Sequence, residues 1–138
     1  MNWKLILQLS LFGIAMGLGT AFFIPSRLEV ALWPIVFLFS AYAIAKYSIG
    51  LRFLHGLLVG LFDSLLKTSV HMVFFSFYVA RHTHEMEMIR QMTNTFSPRQ
   101  LILLSSPVWG LVFGTAIGLL AMLLGVFVKP AGNDHATS

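Results

Sequence analysis

The chain has 138 residues, 57% of them hydrophobic and 10% charged, with a mean hydropathy of +0.83. A soluble domain this short needs more polar surface, so the composition points to one polytopic integral membrane domain. With no cysteine, structural disulfides, thiol catalysis, zinc–thiolate sites and covalently attached c-type haem are excluded; the net charge of +4 contains no Lys/Arg run, which speaks for membrane-flank anchoring and against nucleic-acid binding.

Residues 5–24 make an apolar run of spanning length that Pro25 ends. Lys4, this run and Gly19-Thr20-Ala21 have the layout of a signal peptide. Because further spans follow, the segment is read as a retained first helix. Ser26-Arg27-Leu28-Glu29 reads as a capping box, so a second helix is predicted from Arg27 to about 46–49, with Pro34 bending its first half. Gly50, Leu51 and Arg52 turn the chain into a third helix over 53–79. The connection 80–96 is the one long linker. Glu85, Ile89, Met92 and Phe96 share a side at helical spacing, which predicts either an amphipathic helix on the membrane surface or a solvated extension of the third helix. Ser97, Pro98 and Gln100 form a second capping box, and the fourth helix runs from there to about 128. The expected architecture is all-α: one domain over 1–130 with four transmembrane helices, a short amphipathic interfacial segment between the third and fourth, and a disordered tail over 131–138.

An even number of spans puts both termini on one side. Lys4, Lys46, Arg52 and Lys129 lie on that side and Arg27, Arg81, Arg90 and Arg99 on the other. Acidic residues dilute only the second group, and the balance is read as cytoplasmic termini.

Three helices carry a face of small residues, the usual mark of close helix approach in membranes. They are Ser10, Gly13, Gly17, Thr20 and Ala21 on the first; Gly56 and Gly60 on the third; and Pro107, Gly110, Gly114, Gly118, Ala121 and Gly125 on the fourth. A single bundle can absorb these faces internally, whereas a face left over would dock a partner or a second copy.

Asp63, Lys67 and His71 lie four residues apart inside the third span, on the side that also carries Gly56, Gly60 and Tyr78. Ionisable groups at this depth face a bundle interior or a watery path. Asp63 precedes Lys67 by one turn, the orientation that suits an intrahelical ion pair, and His71 would then bond a hydroxyl or carbonyl. In the alternative, the three form a proton or ion path. A haem or chlorophyll-type pigment on His71 would be crowded by Lys67, and His55 stands on another face near the helix end. His82-Thr83-His84 has a metal-friendly composition, yet solvated interfacial side chains are the simpler account. The sequence contains no phosphate loop, no His-Glu-x-x-His and no Gly-x-Ser-x-Gly, so no enzyme, metal site or cofactor is expected.

Phe53-Leu54-His55-Gly56 opening the third helix, Tyr78 closing it, the Met/Glu-rich connector, and Pro107 with Gly110 in the fourth resemble small four-helix bacterial membrane proteins of unknown function. The connector is shorter here and holds two acids. The resemblance covers mostly 51–128 and implies a bundle in the bacterial inner membrane, without naming a substrate. The function expected is a non-catalytic accessory or assembly subunit of a larger membrane complex, with lipids and other integral membrane subunits, or itself, as partners. The alternative is a homo-oligomeric conductor using Asp63, Lys67 and His71.

Overall fold

The computed structural model describes residues 1–92 and 95–131, and among these every regular element is a helix: α1 Trp3–Phe22, α2 Ser26–Tyr47, α3 Arg52–Val73, α4 Phe75–Arg81, α5 Thr83–Met92 and α6 Pro98–Phe127. The fold is all-α. Helices α1, α2, α3 and α6 are each long and apolar enough to cross a membrane. The predicted tail lies, beyond residue 131, outside the described residues.

Side chains cap two of the helix starts, those of α1 and α6. The Asn2 side chain caps α1 by accepting from the Leu5 N–H at 3.1 Å. Ser97 and Gln100 form the predicted reciprocal box at the start of α6, with Pro98 inside it. The box predicted at α2 does not form. Pro25 is the N-cap and has no side-chain group to cap with, and Glu29 is engaged by Trp33 and Lys67. Pro34 sits inside α2 without ending it. In the turn to α3, Gly50 (φ 83°) and Leu51 (φ 47°) are both left-handed. Glycine takes this conformation freely, while leucine there costs about 1–2 kcal/mol. His55 holds the turn: its Nδ1–H donates to the Leu51 carbonyl at 2.9 Å, and its Nε2 accepts from the Asn2 N–H at 2.9 Å.

The predicted continuous helix over 53–79 is broken at Phe74, with neither Pro nor Gly to announce it. Two tertiary contacts accompany the break. Phe22 of α1 packs edge-on against Phe74 at 5.0 Å, and Arg99 of α6 donates to the Met72 carbonyl at 3.3 Å while lying over the Phe75 ring. The connector is helical over Thr83–Met92, but its inward side centres on buried Met86. On the predicted Glu85–Ile89–Met92–Phe96 side, Met92 is 82% exposed and Phe96, beyond the helix, is 45% exposed, so this side is left open by the bundle.

Helix α3 is the centre of the bundle, with α1 on one side and α6 on the other; α2 packs mainly on α6. The small-residue faces meet one another. A Cβ added at Gly56 or Gly60 would land on the α6 backbone at Gly118 or Gly114, and one at Gly114 would lie 2.8 Å from the Leu57 Cα. Gly110 and Gly118 likewise approach Leu61 and Phe53. On the other side, a Cβ at Gly13 would lie 2.7 Å from the Asp63 Cα, and one at Gly17 3.2 Å from the Lys67 Cα. Gly125 differs from the rest of its stripe: the Arg52 guanidinium lies over it and donates to its carbonyl. These close approaches bring together an apolar core of Leu5, Ile6, Leu9, Ala41, Ala43, Ile44, Val59, Ile117 and Ala121 at the end of the bundle that carries the termini.

Candidate binding cavity

At the opposite end, where the connector lies, the bundle is open. Helices α2, α3 and α6 frame a cavity of about 610 Å³, and Tyr78, His82 and Glu85 from α4, α5 and the residue between them line it from the connector side. Ser26 and Phe37, both in its wall, are eleven residues apart on α2, about 16 Å along the axis.

The deep part is aromatic. Phe113 of α6 has its ring centroid 5.3 Å from Trp33, 5.1 Å from Phe37 and 5.6 Å from Trp109. These bulky groups stand where the other half of the bundle has glycine and alanine, and they hold α2 away from α3. The floor is tied by paired serines: Ser64 Oγ donates to the Ser106 carbonyl at 2.7 Å and Ser106 Oγ to the Ser64 carbonyl at 3.1 Å. Each hydroxyl thus finds a carbonyl, as a buried polar group in a membrane must.

The mouth is polar. Lys67 makes an ion pair with Glu29 across the cavity, and both side chains are mostly buried, at 19% and 14% exposure. Glu29 also accepts from Trp33 Nε1 at 3.1 Å, and the Lys67 ammonium stands 5.2 Å over the Trp33 ring. The three groups form a closed, charge-neutral cluster.

This corrects the predicted Asp63–Lys67 pair. Asp63 turns the other way, into the α1–α3 contact, where its Oδ1 accepts the Gly13 N–H at 2.8 Å. Glycine at position 13 lets the two backbones come close enough for that bond. Lys67, with a longer side chain, reaches the opposite side of α3. Glu29, the last residue of the predicted capping box, sits one turn inside α2 and takes Lys67 in place of Asp63. Asp63 is 1% exposed, its Oδ2 has no hydrogen-bond partner, and it does not line the cavity. The predicted polar stripe is therefore divided, with Lys67 and His71 on the cavity and Asp63 sealed behind them.

His71 bonds a hydroxyl. Thr20 Oγ1 lies 2.7 Å from His71 Nε2 and gives its own proton to the Met16 carbonyl at 2.8 Å, so the imidazole Nε2–H donates to Thr20. The His71 ring stacks on Tyr78 at 4.1 Å, and Tyr78 stacks on His82 at 4.3 Å, giving a three-ring column along the cavity. The expectation of solvated His82 and His84 holds for His84 alone; His82 is 2% exposed. The sequence marked His82 only for its metal-friendly neighbours; its burial comes from the tertiary stack. The remaining mouth group is Glu85, whose carboxyl the Ser26 hydroxyl holds below the usual carboxylate range. Among the described residues, no group of three or more His, Cys, Asp or Glu side chains stands close enough to hold a metal ion. No protein-family model matches the chain, and no curated protein or solved structure matches it either.

Proposed function

We propose that this chain is a non-catalytic integral membrane protein that holds one amphiphilic molecule in the cavity at its connector end. The observation that carries this reading is the order of the cavity walls. Ser26, Glu29, Lys67, Tyr78, His82 and Glu85 stand at the mouth, and Trp33, Phe37, Trp109 and Phe113 lie deeper. The volume of about 610 Å³ falls in the range of small-molecule sites, and such sites combine apolar walls with a few convergent polar groups. The polarity gradient also parallels that of half a bilayer, so a molecule with one polar end keeps both ends matched on entering. A path across the membrane finds less support. Beyond Phe37 and Phe113 the bundle closes into the core around Ile44, Val59 and Ile117, and Asp63 faces α1. We place the protein in the bacterial inner membrane with cytoplasmic termini, on the Lys/Arg balance and the layout resemblance, which puts the mouth at the periplasmic face.

A second reading, an accessory subunit of a larger membrane complex, is favoured by how little of the chain stands outside the helices that can span. Between α4 and α6 the linker is one ten-residue helix, α5, and a few residues. A binding protein with so little extramembrane surface hands its ligand on most simply within the membrane, to another integral subunit. Native mass spectrometry of the protein released from nanodiscs tests the binding reading. One small-molecule or lipid adduct per chain is expected, and it should be lost when Ser105, in the cavity wall, becomes leucine. Bare protein under conditions that preserve adducts on a known lipid-binding control would overturn the reading.

A further inference from the structure

Resting on the cavity reading above, we infer that the polar end of the bound amphiphile is a protonated amine, held by His82 Nε2 and the Glu85 carboxylate. His82 Nδ1 lies 3.0 Å from the Tyr78 carbonyl oxygen, an atom that can only accept, so Nδ1 carries the ring proton. In the uncharged tautomer with that proton, Nε2 is left as a bare lone pair. That atom is buried, belongs to a cavity-lining residue that is 2% exposed, and has no hydrogen-bond partner. An acceptor in such a place calls for a donor from a ligand.

The charge at the mouth points the same way. Glu29 and Glu85 face one ammonium, that of Lys67, and Lys67 is taken by Glu29 and by the Trp33 ring. Among the described residues Lys67–Glu29 is the sole ion pair, so Glu85 has the Ser26 hydroxyl beside it and no cation within ion-pair distance. An anionic ligand would have to break the Lys67–Glu29 pair and would meet the Glu85 carboxylate and the His82 lone pair. A protonated amine meets two acceptors, the His82 lone pair and the Glu85 carboxylate. A quaternary ammonium shares the charge but has no N–H to give Nε2, so the site favours primary and secondary amines. The same chemistry comes from a free lipophilic amine or from an aminolipid headgroup such as that of phosphatidylethanolamine.

The test is calorimetric titration of the full chain in phosphatidylcholine nanodiscs with decylamine, decyltrimethylammonium and decanoate, with empty nanodiscs subtracting membrane partition. Saturable decylamine binding is expected, at least about tenfold tighter than either analogue, with Glu85→Gln and His82→Phe each weakening it about five- to tenfold. His82→Phe keeps the stack on Tyr78, and Glu85→Gln keeps the size and shape of a partly buried side chain. Saturable binding of all three probes with similar affinity would overturn the amine assignment and leave the cavity reading standing. No saturable binding of any probe would overturn both. Repeating the titration in nanodiscs containing phosphatidylethanolamine separates the sources: a competing lipid weakens decylamine and names the headgroup, whereas an unchanged affinity names a free amine.

Discussion

The two ends of this bundle are built from the same four long helices and pack in opposite ways. At the terminal end, Gly56 and Gly60 of α3 press on Gly118 and Gly114 of α6, and α2 offers Ala41, Ala43 and Ala45 to the core. At the connector end α2 carries Trp33, Pro34 and Phe37, α6 carries Trp109 and Phe113, and a cavity opens between them. In a membrane, helices gain little from burying apolar groups against one another and most from close packing and from satisfying polar groups. Side-chain size along α2 therefore decides where the bundle is closed. The polar groups gather where the large residues have left room.

The sharpest way to break this contrast is to insert the same side chain at both ends. Gly60→Leu puts bulk onto the α6 backbone, which cannot yield, and the expected result is loss of the cooperatively folded bundle, read by thermal unfolding in detergent. Ser105→Leu adds similar bulk to the cavity wall, where space exists; this variant should unfold within a few degrees of the parent and lose its adduct. Equal damage from both would show that the connector end is as tightly packed as the other.

A smaller effect is expected at the ion pair. Glu29→Ala leaves the Lys67 ammonium unpaired inside the bundle and should destabilise the protein by on the order of 3 kcal/mol. The double variant Glu29→Leu with Lys67→Met should recover most of that, since apolar groups of similar size often replace a buried pair at little cost. Failure of the double variant to recover would mean that the pair does more than neutralise itself, for instance by holding Trp33 in the cavity wall.

The spans, the α6 capping box and the existence of small-residue faces were legible because each rests on local pattern: apolar length, a Ser-Pro-x-Gln start, and spacing at four residues; that the faces of α3 and α6 meet each other was not. The cavity was not. Its making depends on which face of α2 meets which face of α6, and the sequence of either helix alone carries no record of that. Asp63 illustrates the limit. Its spacing to Lys67 suits an ion pair, yet a backbone N–H on α1, made reachable by glycine at position 13, takes the carboxylate instead. The break at Phe74 escaped for a similar reason, since Phe22 and Arg99 supply from other helices what Pro or Gly would have supplied locally.

The smallest expected effect lies at the rim of the open end and tests whether its polar groups are arranged or merely left over. The Ser26 hydroxyl holds the Glu85 carboxyl below the ordinary range, so the folded state binds this proton less readily than the unfolded chain does. Linkage gives the sign: the bond's contribution to stability is complete above the ordinary carboxylate range and disappears as pH falls through the lowered folded value. Ser26→Ala should raise the Glu85 titration toward the ordinary value, read by carbon NMR of labelled glutamate side chains. The variant should match the parent in thermal unfolding in acid and fall slightly below it at neutral pH. Because Glu85 is only partly buried, solvent screens the effect, and the titration shift is the more decisive readout. An unchanged Glu85 titration would mean that Ser26 and Glu85 do not hold each other in solution. The mouth would then be a loose rim with no built polar edge, and the contrast between the two ends would shrink to one of side-chain size alone.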